Sequence, residues 1–183
     1  MLGNYVSWFI RLNHLLRGML YYWLSSNIGK GFRLGNPIQL RNFSYAIIGK
    51  RVRIREHFRL ELANATSSFR IGNDVNIEQN VHIICSNKVF IGNNCTITAN
   101  CALVDIDHVY SSVEKIGNTQ QAEKQDIIIG DNVFIGMGTI ILGNSSIGKN
   151  SIVGANSVLK GHFPNNSLIS GNPATLIKYN TEE

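Results

Sequence analysis

Six aliphatic residues stand six positions apart in the last third of the chain: Ile129, Ile135, Ile141, Ile147, Val153 and Leu159. A glycine follows four of them, at Gly130, Gly136, Gly148 and Gly154, and a second column of smaller residues keeps step at Val133, Thr139, Ser145, Ser151 and Ser157. A period of six suits neither a helix, whose period is 3.6, nor a simple alternating strand, whose period is two. It suits a chain that turns a corner every six residues, so that three flat strips close one triangular coil of about eighteen. The aliphatic residue then fills the prism, and the glycine is expected to let the corner bend.

The same beat runs backward through Ile91, Ile97 and Leu103, through Ile71, Ile77 and Ile83, and more weakly through Ile48, Ile54 and Leu60. The step from Ile83 to Ile91 is eight, so two residues must bulge at a corner. Between Leu103 and Ile129 the beat stops, and residues 109–126 are polar enough to read as an extruded loop. Insertions in a repeat array collect on one face, often the working one. The predicted architecture is all-β: a parallel β-helix over residues 46–164, an N-terminal helical and irregular segment over 1–45, and a C-terminal extension over 165–183.

Three cysteines, Cys85, Cys95 and Cys101, fall inside the repeat. An odd number at inward positions predicts buried, reduced thiols. The net charge of +5 is unevenly spread: residues 1–70 carry eleven Lys and Arg against two acids, Glu56 and Glu61, whereas the remainder carries six against ten. A basic first third suits an anionic partner such as a phospholipid surface, a phosphorylated carrier or a cofactor phosphate. No nucleic-acid-binding motif accompanies it. Residues 5–24 are nearly all apolar, with Ser7, Arg11, His14 and Gly18 forming a narrow polar stripe at helical spacing. Two arginines in mid-span argue against a membrane-crossing helix, and the pattern of a secretory signal is lacking. The helix is expected either to pack on the prism or a neighbouring copy, or to lie on a membrane surface.

Chemistry should gather beside the extruded loop. Asp105, Asp107 and His108 stand where the beat breaks. A histidine there can accept a proton near neutral pH, and a neighbouring carboxylate can orient its ring; sequence leaves open which aspartate does so. Asn80 and His82 lie two apart on one strip and can face one surface. His14, His57 and His162 read as surface or structural. The chain lacks the close histidine pair a zinc enzyme of this shape would use, so no metal is expected.

The run from Ile71 to Lys178, above all IIIGDNVFIGMGTIILGNSSIGKNSIVGANSVLKGHFPNNSLISGNPATLIK, resembles the hexapeptide-repeat O-acetyltransferases. Those include galactoside and maltose acetyltransferases and enzymes that acetylate lipopolysaccharide, capsule or exopolysaccharide sugars. The resemblance implies a left-handed β-helix, a homotrimer, and acetyl-CoA as co-substrate in the cleft between neighbouring prisms. It implies His108 as catalytic base, with the Asp107–His108 wording closest to the polysaccharide-modifying branch, and Asn80 at an acceptor-contacting position. Phe134 stands where many members place Trp beside the pantetheine arm. Gly136, Met137, Gly154 and Ala155 match backbone positions that bond the pantetheine amides. Lys178 matches a basic position near the nucleotide phosphates. Lys160 is displaced by one from the usual Thr-Lys, and Thr175 replaces a frequent basic residue. The expected acceptor is a saccharide hydroxyl, on a lipid-linked precursor at the inner face of the cytoplasmic membrane. Two alternatives stand beside it: N-acetylation of a nucleotide-linked amino sugar, for which residues 1–45 lack a Gly-rich nucleotide-binding turn, and a non-catalytic scaffold.

Overall fold

The computed structural model describes residues 2–108 and 122–179, with backbone alone for residues 2–7, 107–108 and 122–124. Residues 109–121 of the expected loop lie outside the described residues. The repeat forms a left-handed parallel β-helix preceded by one helix, Leu2–Leu24. One face stacks Arg33–Leu34, Arg53–Ile54, Asn76–Ile77, Thr96–Ile97, Phe134–Ile135, Ile152–Val153 and Ser167–Gly171 as parallel neighbours. The other two faces merge into a ten-stranded ladder, because Ile140–Ile147 runs round their shared edge without a break.

The six-step aliphatic residues point inward and are buried from Ile48 to Leu159. Burial of each such side chain contributes roughly 1.5–3 kcal/mol relative to exposure, an upper bound because the unfolded chain is already partly compact. The column two residues earlier also points inward. It changes character along the axis, from Val75, Val81 and Val89 through Cys95 and Cys101 to Thr139, Ser145, Ser151 and Ser157. All three cysteines are free and buried, as their inward placement predicts.

Two expectations are corrected. First, the corners bend at asparagine rather than at the glycine after the aliphatic residue. Asn80, Asn94, Asn100, Asn132, Asn144, Asn150 and Asn156 all hold φ between 55° and 62°. Asparagine tolerates this left-handed region better than most residues because its short amide bonds locally. The glycines serve close stacking instead: a Cβ on Gly136 would sit 2.5 Å from the Ala155 nitrogen in the next coil.

Second, the β-helix begins upstream of residue 46 and runs past 164. Ile28 already bridges Ile48, and Arg33–Leu34 and Gln39–Arg41 pair in register with Arg53–Ile54 and Arg59–Glu61. Buried aromatics, Phe32, Phe43 and Phe58, line this end of the prism and obscure the small-residue column. At the other end, Ser167–Gly171 still pairs parallel with Ile152–Val153 before Ala174–Tyr179 folds back antiparallel.

The N-terminal helix packs on the prism, one of its expected placements, and docks through its polar stripe. His14 pairs with Glu56 at 2.6 Å, Arg17 donates to the Leu34 carbonyl at 3.0 Å, and Tyr21 meets Phe43 edge-on at 5.2 Å. Gly18 is buried, and a Cβ there would strike the Phe32 carbonyl. The wide apolar arc, including Trp8, Phe9, Leu16, Leu20 and Trp23, is exposed on this chain. Among the described residues no helix is long and apolar enough to cross a membrane.

Candidate active site

Two irregularities of the repeat are tied together by one carboxylate. Asp105 is fully buried and accepts hydrogen bonds from the Ser86 amide at 2.6 Å and the Asn87 amide at 2.7 Å. Ser86 and Asn87 are the extra residues of the eight-residue step between Ile83 and Ile91. The Asp105 carbonyl also accepts from the Gln125 amide at 2.9 Å, closing the base of the insertion. Burial pushes the Asp105 carboxyl up from its ordinary range, while the two amides pull it back down. Beyond this base, Ile106–His108 and Ala122–Lys124 form an antiparallel pair with His108 opposite Ala122. The side chains of Asp107 and His108 lie outside the described residues.

Asn80 and His82 come together as expected. The Asn80 Oδ1 lies 3.2 Å from His82 Nε2, and its Nδ2 donates to Asn100 Oδ1 at 2.8 Å. Asn80 is also a corner residue, with φ of 56°. That corner is a column. The amides of Asn80, Asn100, Gly138 and Asn156 donate in succession to Glu56, Gln79, Ala99 and Met137 in the coils before them. The expected acceptor residue Asn80 and the expected cofactor residues Gly136, Met137, Gly154 and Ala155 therefore lie along one edge of the prism. With coils about 4.8 Å apart, Asn80 sits roughly 10 Å from Gly138.

The amides on this edge are unequally used. Gly136 donates to Val153 O and Gly154 to Ile169 O, each at 2.8 Å. The N–H groups of Gln79, Ala99, Met137 and Ala155, in four successive coils, meet no acceptor among the described residues. On another edge the residue after the glycine is capped by a side chain: Asn73 by Asn93 Oδ1, Asn93 by Asp131 Oδ1, and Lys149 by Asn165 Oδ1. Phe134 projects outward in register with Ile152, and both, with Met137, expose apolar surface beside the last two of these donors. Lys178 lies exposed on the returning strand opposite Leu168, and Lys160 lies exposed on Val158–Phe163. The hairpin carrying Asp107 and His108 rises from a different edge, between the second and third faces. A single prism thus holds the histidine and the free amides on separate edges.

The other histidines have structural partners or positions. His14 pairs with Glu56, His162 Nδ1 lies 2.7 Å from Ser146 Oγ, and His57 occupies a left-handed corner with φ of 60°. Among the described residues no three His, Cys, Asp or Glu side chains gather as a metal site. One constellation escaped the sequence reading: Arg33 and Arg53 stand directly opposite each other on adjacent strands. Their separation of twenty, one coil with a two-residue bulge, was the available signal.

A family model for the bacterial transferase hexapeptide, six repeats, matches residues 126–161. The chain is 33% identical over 117 residues to a candidate acetyltransferase of Saccharomyces cerevisiae, covering 64% of this chain and 59% of that protein. It is 32% identical over 117 residues to WbbJ of Escherichia coli, a candidate lipopolysaccharide-biosynthesis O-acetyltransferase, covering 60% of each. The chain therefore spans about three-fifths of the length of these two relatives. Its fold matches AntD of Bacillus cereus, an N-acyltransferase solved with dTDP and 3-hydroxybutyryl-CoA, with a TM-score of 0.74 at 19% identity over 90% of this chain and 88% of that one.

Proposed function

We propose that this hexapeptide-repeat protein transfers an acetyl group from acetyl-CoA to a hydroxyl of a cell-surface saccharide or its lipid-linked precursor. The observation that carries this reading is the exposed ring of Phe134 beside the unused amides of Met137 and Ala155, the last two of a column of free donors that begins at Gln79 and Ala99. An extended, amide-bearing arm such as pantetheine offers carbonyl acceptors to such donors and apolar surface to such a ring. Lys160 and Lys178, at the same end of the prism, are assigned to the nucleotide phosphates. The likeness to WbbJ, a candidate lipopolysaccharide-biosynthesis O-acetyltransferase, supports the acceptor class.

The reaction is a direct transfer. His108 takes the proton of the sugar hydroxyl as the oxygen attacks the thioester carbonyl carbon. The tetrahedral intermediate then collapses, the carbon–sulfur bond breaks, and CoA leaves as its thiol after reprotonation. General-base help of this kind contributes roughly 10²–10⁴-fold. Asp107 is assigned to orient the imidazole. Asp105 is a positioning residue that fixes the base of the hairpin, and Asn80 with His82 is assigned to the acceptor. Since the hairpin and the amide corner lie on separate edges, the site is assigned to a seam between copies of a homotrimer. The exposed apolar arc of the N-terminal helix supports an acceptor held at the inner face of the cytoplasmic membrane.

The test is transfer of label from acetyl-CoA onto a panel of lipid-linked glycans, soluble glycans and nucleotide-linked amino sugars. Wild type should label a saccharide hydroxyl, and His108→Ala should lower turnover by about 10²–10⁴-fold while still binding acetyl-CoA. Turnover near wild type in that variant removes His108 from its role, and exclusive labelling of an amine replaces the hydroxyl acceptor.

A further inference from the structure

A groove of about 630 Å³ runs between the N-terminal helix and the first face of the prism, lined by Ile10, Arg11, His14, Arg33, Arg53 and Arg55 among others. Its charge is lopsided. Arg55 pairs with Glu78 at 2.8 Å, and His14 occupies Glu56. Arg11, Arg33 and Arg53 have no acidic partner among the described residues. Arg33 and Arg53 are directly opposite across a parallel pair and both are exposed. Like charges in that relation destabilise a sheet unless an anion lies between them. Arg51 next to them is already held by Asp74.

We infer that Arg33, Arg53 and Arg11 form a binding site for a diphosphate group. Guanidinium forks one strand spacing apart, about 4.8 Å, can each take one phosphate of a diphosphate in paired hydrogen bonds. Arg11 closes the groove from the helix side. The site deepens the proposed acceptor reading, because Asn76 and Thr96 carry the same outward column from Arg53 toward Phe134. A diphosphate bound there lies on the prism that holds the acceptor residues, with Asn80 in the coil next to that of Arg53. Two sources share this chemistry: a lipid diphosphate presented by a bilayer, and a nucleotide diphosphate in solution. The exposed apolar helix face beside the groove favours the lipid.

The site is tested on the full chain by calorimetry with inorganic pyrophosphate, which requires no acetyl donor and no turnover. Wild type should bind it with an affinity that falls as salt rises, and R33Q/R53Q should weaken binding by about 100-fold. The R53Q single variant separates a folding defect from a lost site: without ligand its melting temperature should stay level or rise, because one of two opposed charges is gone. Absence of pyrophosphate binding by wild type, or equal binding by the folded double variant, overturns the inference. Two further arms identify the source. Co-sedimentation with phosphatidylcholine vesicles doped with a polyprenyl diphosphate, lost in R33Q/R53Q, assigns the lipid; tight dTDP binding without vesicle binding assigns the nucleotide. Since these arms read binding alone, loss of the acetyl-transfer reading leaves them standing, and their failure leaves that reading to its own assay.

Discussion

Replacing Asp105 by Ala should destabilise the protein by about 2–3 kcal/mol. The carboxylate is fully buried and holds the amides of Ser86 and Asn87 at 2.6 and 2.7 Å. The Ser86 amide is buried, so its loss of a partner costs roughly 1–3 kcal/mol; the Asn87 amide is partly open to water and costs less. Against this, burying the carboxylate itself is unfavourable, as its raised pKa shows, and the alanine variant escapes that term. The sign with pH follows. A carboxyl whose folded pKa is raised binds its proton more tightly when folded, so wild-type stability falls as pH climbs from the ordinary carboxylate range through the folded pKa. The variant lacks this slope, so the difference between them should be larger at pH 5 than at pH 8. Urea unfolding at fixed chain concentration measures both. Asp105→Asn should recover little, because its amide nitrogen would face an N–H donor. A loss below about 0.5 kcal/mol for Asp105→Ala, far under the cost of one orphaned buried amide, refutes the argument that this carboxylate holds the corner. A gap that widens with pH refutes the view that desolvation outweighs the two amide bonds.

Three further outcomes are expected. Asn94 holds φ of 56° with no side-chain hydrogen bond among the described residues, so Asn94→Ala should cost about 1–2 kcal/mol and Asn94→Gly much less, by the same unfolding measurement. Burial pushes the Cys85 thiol up to about 12 and the Cys95 thiol up to about 11, so at pH 8 both should resist a thiolate-directed reagent in the folded protein and react on unfolding. Gly136→Ala should cost about 1–3 kcal/mol by overpacking, since its Cβ would meet the Ala155 nitrogen at 2.5 Å; a melting temperature equal to wild type would show that the coils can part freely.

What the sequence reveals depends on how local the governing physics is. The six-step aliphatic column is legible because each residue fills an equivalent inward slot, so one rule repeats from Ile71 to Leu159. The corner asparagines repeat on the same beat, at Asn132, Asn144, Asn150 and Asn156, yet the glycine beside them is the more familiar sign of a bend. The first coil is obscured because Phe32, Phe43 and Phe58 keep the shape of the prism while breaking its small-residue pattern. The helix shows a different difficulty. Its polar stripe was readable, but which side meets the body depends on Gly18 fitting under the Phe32 carbonyl and on Glu56 lying opposite His14, neither of which the helix itself encodes. Asp105 is close to His108 in sequence, but the partners that hold its carboxylate, Ser86 and Asn87, are a whole coil away.

The drift of the inner small-residue column from valine to serine has a structural consequence for the end of the prism that carries Phe134, Met137 and Ala155. In the valine coils this column joins successive turns by apolar packing alone. In the last coils the hydroxyls tie backbone to backbone: Ser145 donates to Leu159 O at 3.3 Å, Ser151 to Pro164 O at 3.3 Å, and Ser151 Oγ also accepts from the Ser167 amide at 3.1 Å. A buried hydroxyl that both donates and accepts fixes its neighbours in direction as well as distance, which an apolar contact does not. The donors at Met137 and Ala155 are therefore carried by the coils whose backbone is most tightly indexed. That is where a ligand needing two amides at a set spacing gains most from a rigid scaffold, because little of its binding energy is then spent on ordering the protein.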